Sequence, residues 1–262
     1  MLRRLFIFVF SFCLFLSSHE TRADTTTLRL ATLSFPPLIH HTATGSYSGT
    51  MGETVKMMCR MAGIDCRMEL IPYKRAFEKL NAGEIDGVIG IKTNLLKECC
   101  TPSQWASPWA AGLFSARPLN EIPQIADDIK GQSLIVVDGM QSPYLFIPDL
   151  DQWEKDGDIR LHRANGIFMA TNMLGNERAE FLWGSEDYNW YFEKLETKEQ
   201  WNFIPLLVRP LVIWLDKSKF EEMNSLNKAY SRMQDQQMLN SRQLLSNELM
   251  QQNYIAPVFN YE

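Results

Sequence analysis

The chain has 262 residues and a formal net charge of −5 at pH 7, with 45% hydrophobic and 22% charged residues. This acidic balance argues against nucleic acid or an anionic membrane surface as a partner. The length allows one large domain or two of ordinary size, each with a substantial core.

Residues 1–23 have the pattern of an export signal. Arg3 and Arg4 form a charged n-region, and residues 5–16 form an apolar core that is too short to span a bilayer comfortably. The small residue Ala23 ends the segment and predicts cleavage after it; an uncleaved membrane anchor is the alternative. We therefore expect the mature protein in the periplasm.

The next stretch predicts a strand, a loop and a helix. Residues 27–33 read as the first strand, and two consecutive prolines then force an extended loop. Residues 51–62 have helical spacing, with Cys59 in the last turn and Cys66 at the start of the following strand. Such positions can approach within bridging distance, and export makes disulfides the default expectation.

Residues 70–93 predict a strand end, a helix, a tight turn and a second strand. Pro72 stops the first strand, residues 73–80 have one apolar helical face, and residues 85–91 suit a parallel strand covered on both faces. Ligands bind outside the carboxyl ends of strands in open α/β sheets, so a site is expected at this edge. The side chains that should gather there are Tyr73, Arg75, Lys92 and Thr93.

The same stretch resembles a known family. Its aromatic residue, Arg-Ala, leucine and the letters AGEIDGVIG are similar to the bacterial extracellular solute-binding proteins of family 3, the polar amino-acid-binding type with the type 2 periplasmic binding protein fold. Weaker motifs extend the resemblance over nearly all of the mature chain. It implies that Phe35, after the first strand, presents its ring to the ligand; a core role is the alternative. It also implies a Cys59–Cys66 disulfide, as in the basic-amino-acid binders.

One feature of the family pattern is missing. After Thr93 the family has Thr-x-x-Arg, whose arginine holds an α-carboxylate through two parallel hydrogen bonds, and residues 93–98 here contain no arginine. Lys97 can stand in only as a point charge, and Arg75 is the alternative anion clamp. Alternatively, either residue is an ordinary surface charge that does not contact the ligand. The sequence therefore does not identify the ligand.

Later motifs resemble the family's second lobe. The letters IKGQ and the apolar run 133–137 match its opening, and Ser142 is then expected at a helix N-terminus, where backbone N–H groups favour an anion. Ser142 lacks the G-x-S-x-G context of a nucleophile. Residues 179–183 match the strand whose following acid holds the ligand's amino group. At its end the acid is expected at Glu186 or Asp187, or replaced by Ser185, and Trp183 is expected to stack on the ligand.

Two cysteines, Cys99 and Cys100, are adjacent in the sequence. A vicinal disulfide, two free thiols and half of an intermolecular link are all open interpretations. Since no histidine lies at ligand spacing, a zinc site is not expected, and the sequence implies no other metal, cofactor or catalytic residue.

The pieces predict an α/β protein of two lobes, each a mixed sheet flanked by helices, joined by a two-strand hinge. Lobe 1 is expected at residues 24–115, with a return and C-terminal helices at 212–262, and lobe 2 at residues 116–211. The crossing strands should lie near residues 112–116 and 203–215, and ligand should bind between lobes that close over it.

The resemblance implies a monomeric periplasmic solute-binding protein that captures a small polar solute, an amino acid or a related molecule. Its partners would be that ligand and the membrane permease of an ABC-type transporter, with no nucleic acid. A sensory module that presents its ligand to a membrane receptor or kinase is the first alternative. The second is a dehydratase-like enzyme in the same cleft, which requires a carboxylate of raised pKa beside the ligand; Glu186 is the candidate.

Overall fold

The computed structural model describes residues 26–195 and 200–239. Its strands are β1 (Thr27–Thr32), β2 (His40–His41), β3 (Tyr47–Ser48), β4 (Asp65–Leu70), β5 (Gly87–Ile91), β6 (Cys100–Ser115), β7 (Ser133–Val137), β8 (Arg160–Ala164), β9 (Phe181–Ser185) and β10 (Asn202–Asp216). Its helices are α1 (Thr50–Ala62), α2 (Tyr73–Asn81), α3 (Ser142–Phe146), α4 (Leu150–Asp156), α5 (Ile167–Gly175), α6 (Asn189–Phe192) and α7 (Phe220–Asp235). Short 3-10 helices lie at Leu119–Glu121, Ala126–Ile129, Glu186–Tyr188 and Lys217–Lys219.

Two sequence predictions fall outside this part of the chain. The predicted export signal, residues 1–23, and a predicted helix in the C-terminal return near residues 244–249 lie outside the described residues. In the described ranges, no helix has the length and apolar character needed to cross a membrane.

Eight of the ten described strands form one sheet in the order β4-β1-β5-β10-β6-β9-β7-β8, and β2 and β3 form a separate antiparallel pair. Strands β4, β1 and β5 are parallel at one end, and β9, β7 and β8 are parallel at the other. Between them, β6 and β10 run antiparallel to each other along most of their length. We call the β4-β1-β5 half with α1, α2 and α7 lobe 1, and the β9-β7-β8 half with α3 to α6 lobe 2. The mixed α/β fold class is therefore confirmed.

One of the two strands that link the lobes is much longer than the sequence predicted. Strand β6 starts at Cys100 rather than near residue 112, whereas β10 (Asn202–Asp216) is close to the predicted 203–215. In the structure Pro108 lies directly opposite Pro210 on β10. Antiparallel ladders alternate between hydrogen-bonded and non-hydrogen-bonded pairs, and a pair in which neither residue has an N–H fits the second kind. The strand continues through both prolines for this reason.

The core contains several large aromatic side chains that are fully buried. Trp105, Trp183, Trp214, Tyr188 and Phe114 are at most 2% exposed. Three aromatic residues that follow β9, namely Tyr188, Tyr191 and Phe192, belong to this core. The Cys59–Cys66 disulfide is present and joins the last turn of α1 to β4.

A buried carboxylate ties three segments of lobe 1 together. Asp86, just before β5, accepts hydrogen bonds from the Arg29 backbone N–H at 2.8 Å and from its guanidinium at 3.0 Å. Lys219 Nζ lies 3.3 Å from the same side chain, which is only 5% exposed. Burial opposes the charged form, but the hydrogen bonds from Arg29 outweigh it and hold the pKa of Asp86 below its usual value. The aspartate of the AGEIDG motif is thus structural.

Candidate functional site

A cavity of about 170 Å³ lies between the two lobes. Lobe 1 and the linking strands contribute Thr32, Leu33, Phe35, Met51, Tyr73, Phe77, Ile89, Gly90, Ile91, Thr93, Leu95, Leu96, Trp109 and Leu211. Lobe 2 contributes the loop after β7, namely Gly139, Met140, Gln141 and Ser142.

The topology explains why these residues meet. Thr32 and Ile91 are the last residues of the parallel strands β1 and β5, so the segments that follow them emerge at the same edge of the sheet. Tyr73 and Phe77 lie one helical turn apart on α2, and their rings stack with centroids 6.0 Å apart. The predicted position of the site, at the carboxyl ends of these strands, agrees with this cavity.

The hydroxyl groups in the wall already have protein partners. Thr32 Oγ1 donates to the Ile89 carbonyl oxygen at 3.0 Å, and Thr93 Oγ1 accepts from the Leu95 backbone N–H at 2.8 Å. Ser142 Oγ accepts from Trp183 Nε1 at 2.9 Å. In the last two bonds the hydroxyl oxygen is the acceptor, so these bonds leave the O–H hydrogens of Thr93 and Ser142 free to donate, in a wall whose other side chains are mostly apolar.

One buried donor in the wall is unpaired. The indole Nε1–H of Trp109 is buried and has no acceptor among the described residues. A buried unpaired donor costs about 1–3 kcal/mol, and protein atoms cover this N–H in the closed arrangement.

No acidic or basic side chain belongs to the described cavity wall. Two cations lie near it. Lys92, directly after β5, is half-buried, and burial lowers its pKa, with a smaller contribution from Lys97. Arg209 on β10 is also half-buried, and burial lowers its pKa as well. Burial disfavours a charged form in both cases, and an anion nearby would relieve that cost.

Four of the ten predicted ligand-binding residues line the cavity. They are Phe35, Tyr73, Thr93 and Ser142. The assignment of these residues to ligand binding stays a prediction.

The structure places the other six away from the wall. Arg75, Lys97 and Glu186 are exposed, and Lys92 is half-buried beside the cavity. Trp183 and Ser185 are buried inside lobe 2, where Trp183 supports Ser142 and stacks on Phe146 with centroids 5.2 Å apart.

The helix geometry explains the placement of Arg75. It follows Tyr73 by two residues, and about 100° of rotation per residue turns it roughly 200° away from the side that Tyr73 presents to the cavity. Arg75 consequently faces solvent.

Several residues of the wall were not predicted from the sequence. Phe77 could have been found from its helical spacing to Tyr73. Met140 and Gln141 follow a predicted strand and lie beside Ser142, so their position was also available. No such signal was present for Trp109 and Leu211. The face of the sheet to which each side chain projects depends on the register between two strands that lie far apart in the sequence.

The lobes touch each other beside the cavity. Lys74 Nζ in lobe 1 lies 3.8 Å from Asp138 Oδ2 in lobe 2. The backbone of Gly139 approaches that of Lys74 so closely that a Cβ on Gly139 would lie 2.6 Å from the Lys74 nitrogen. Phe35 in lobe 1 also contacts the ring of Tyr188 in lobe 2, edge to face, with centroids 5.7 Å apart. The lobes are thus closed over the cavity.

The adjacent cysteines are free thiols in the structure, which is one of the three interpretations left open. Their Sγ atoms lie 2.8 Å apart, and burial, followed by the neighbouring Cys99, raises the pKa of the Cys100 thiol. Within residues 26–195 and 200–239, no cluster of three or more His, Cys, Asp and Glu side chains is arranged to hold a metal ion.

Comparisons with known proteins find the fold but no close relative. No protein-family model and no curated protein matches the chain. A putative L-cystine ABC transporter structure from Listeria monocytogenes aligns with a TM-score of 0.67 and 17% identity, over 81% of this chain and 92% of that one. An arginine third transport system periplasmic binding protein from Legionella pneumophila aligns with a TM-score of 0.63 and 16% identity, over 80% and 95%.

A third solved structure is an ancestral amino-acid-binding protein that is a precursor of cyclohexadienyl dehydratase. It aligns with a TM-score of 0.62 and 16% identity, over 80% of this chain and 89% of that one. Together these alignments confirm the two-lobed fold of periplasmic solute-binding proteins that the sequence resembles.

Proposed function

We propose that the chain is a periplasmic solute-binding protein that captures a small molecule between its two lobes. The observation that carries the proposal is the cavity itself, which the ends of β1 and β5 bound on one side and the loop after β7 bounds on the other. A ligand held there contacts both lobes at once, so its binding energy favours the closed arrangement over an open one.

The proposal includes the domain bounds, the transport partner and the route of export. We assign residues 24–115 and 212–262 to lobe 1, residues 116–211 to lobe 2, and the hinge to β6 with β10. The captured solute is handed to a membrane permease of the ABC type, as the neighbours named for such transporters suggest. Export occurs through cleavage of the N-terminal signal, and the protein acts as a monomer without a cofactor.

Binding without chemistry is preferred over catalysis. One structural neighbour is the precursor of a dehydratase, so the scaffold is compatible with an enzyme. Acid–base catalysis needs a titratable group within hydrogen-bond reach of the ligand. Glu186, the carboxylate considered for that role, is exposed and is not part of the described wall.

A thermal-shift screen of amino acids, organic acids, amines and small peptides tests the proposal. A ligand present at 100 times its dissociation constant should stabilise the folded protein by about 2.7 kcal/mol.

The matched variants are Gly90→Ala and Gly90→Val. A Cβ on Gly90 would have only Tyr73 Cε1 near it, at 4.0 Å, so larger side chains extend into the cavity.

We expect Gly90→Val to weaken binding at least about tenfold, because it occupies volume that the ligand needs. Gly90→Ala should bind almost normally, and both unliganded variants should melt close to the parent protein. A ligand that binds Gly90→Val and the parent equally well would show that the cavity is not the binding site.

A further inference from the structure

The pairing of β6 with β10 places an arginine beside the cavity. Arg209 lies directly opposite Trp109, and residues opposite each other in an antiparallel pair project to the same face of the sheet. Leu211 is two residues further along β10, so it projects to that face too. Because Trp109 and Leu211 both line the cavity, Arg209 lies at its margin.

The hydrogen bonds of β10 indicate where the Arg209 guanidinium lies relative to the end of β5. The Pro210 carbonyl accepts from the Lys92 N–H, which is the first residue beyond β5. The Val208 carbonyl points to the same side of β10, but beyond the end of β5, and it accepts from Arg209 Nη1 at 2.9 Å. The guanidinium therefore sits past the carboxyl end of β5, where ligands of such sheets bind.

Arg209 has no carboxylate partner within the described residues, although it is half-buried. One of its five N–H donors is occupied by the Val208 carbonyl. The others can form the fork that binds a carboxylate with two parallel hydrogen bonds. Burial lowers the pKa of Arg209, as expected for a cation that lacks its counter-ion.

The cavity wall itself is suited to an apolar ring. Most of its lining side chains are aliphatic or aromatic, and the Thr32 hydroxyl donates to the Ile89 carbonyl oxygen. Its volume of about 170 Å³ is close to the roughly 150 Å³ of a dry apolar cavity that binds benzene in another protein. No acidic residue in the described wall could receive an ammonium group.

We propose that the ligand is a ring-sized apolar carboxylate without an ammonium group, of the arylacetate type, rather than an amino acid. Its ring fills the apolar cavity, in contact with the Trp109 side chain in the wall, and its carboxylate pairs with the Arg209 guanidinium. Arg209 takes the part of the arginine that is missing after Thr93. This inference rests on the proposed solute-binding function and names the ligand class of the same site.

Calorimetric titration of the purified chain with three matched probes tests the ligand class. Phenylacetate carries the ring and the anion, phenylacetamide replaces the anion by a neutral amide, and phenylalanine adds an ammonium group. A charge-assisted hydrogen bond is worth about 1.5–3 kcal/mol, so phenylacetate should bind about 10- to 100-fold more tightly than phenylacetamide. Phenylalanine should also bind at least about tenfold more weakly than phenylacetate, because its ammonium loses water without gaining a partner.

Two variants assign the residues. Arg209→Gln should weaken phenylacetate about 10- to 100-fold and leave phenylacetamide nearly unchanged, whereas Trp109→Phe should weaken both. Arg60→Gln is the matched control, since Arg60 is exposed on α1 and outside the cavity wall, and it should change neither affinity.

The inference is overturned if phenylalanine or arginine binds as tightly as phenylacetate, if none of the carboxylates binds, or if Arg209→Gln binds phenylacetate like the parent. The proposed function survives those results when another solute binds the parent and is lost from Gly90→Val. It fails separately if no solute is sensitive to Gly90→Val.

Discussion

Replacing Gly139 with alanine is expected to weaken ligand binding about 10- to 100-fold while the protein still folds. Gly139 has a φ of 76°, and its added Cβ would lie 2.6 Å from the backbone nitrogen of Lys74 in the opposite lobe. A backbone atom cannot rotate away as a side chain can, so the lobes must separate to relieve the contact. Overpacking of this kind costs about 1–3 kcal/mol, and the closed, ligand-bound arrangement bears that cost.

Gly131→Ala is a closely matched control. Gly131 also lies in lobe 2 with a φ of 79°, but its Cβ would have no heavy atom within 4 Å. In both variants an alanine must adopt left-handed backbone angles, which costs about 1–2 kcal/mol. Only the added Cβ at position 139 contacts the other lobe. Titration should show a loss of affinity in Gly139→Ala alone. Equal losses in the two variants would refute closure at this contact.

Asp86→Asn is expected to lower the free energy of unfolding by about 3 kcal/mol. Breaking a buried ion pair costs about 3–5 kcal/mol because it leaves an uncompensated charge. We expect the lower end because the side chain of the partner, Arg29, is 47% exposed and water can solvate it. The measurement is chemical denaturation at pH 7, with ligand binding recorded separately. Binding of ligand to the folded variant should be unchanged, since Asp86 does not line the cavity.

The same carboxylate gives the stability a defined pH dependence. The pKa of Asp86 is lowered in the folded protein, so its contribution is fully present above the unfolded value of about 3.9 and is lost as the pH falls through the folded value. The gap in stability between parent and Asp86→Asn should therefore narrow in acid.

Asp65→Asn is the control for Asp86→Asn. Its partner is Arg67 at 3.1 Å, but the two side chains are 47% and 71% exposed. Exposed pairs contribute about 0–1 kcal/mol, so a small effect is expected at every pH. If Asp86→Asn were no more destabilised than Asp65→Asn, the buried network would not hold lobe 1 together.

Much of the fold could be predicted from local patterns. The strand–helix–strand unit around α2 was predicted because apolar spacing distinguishes a helix from a covered parallel strand, and Pro72 marks the boundary between β4 and α2. The edge at which the cavity lies followed from the direction of the two parallel strands. These inferences need only neighbouring residues and a general rule of topology.

The residues that form the cavity wall could not be predicted in the same way. The face on which Trp109 and Arg209 lie is set by the register between β6 and β10, which pair across about a hundred residues of chain. No local period determines that register. Members of the resembled family have a carboxylate-binding arginine after Thr93. In our proposal Arg209 on β10 takes this part, and no sequence motif connected that strand with the ligand.

Side-chain direction also limited the sequence predictions. Trp183 was expected at the end of a strand, but it is the third of the five residues of β9, its ring packs inside lobe 2 and its Nε1 donates to Ser142. Tyr73 and Arg75 lie in the same helical turn, yet only Tyr73 reaches the cavity. Which side of a helix faces a cleft depends on how the helix packs, and the sequence of α2 alone does not give it.

A crystal structure of the protein with the strongest ligand from the screen would show whether a solute binds between the two lobes. We expect ligand density inside the cavity, in contact with Tyr73 and Trp109 on one side and Met140 on the other. Ligand density on an outer surface of either lobe, with the cavity unchanged, would contradict it.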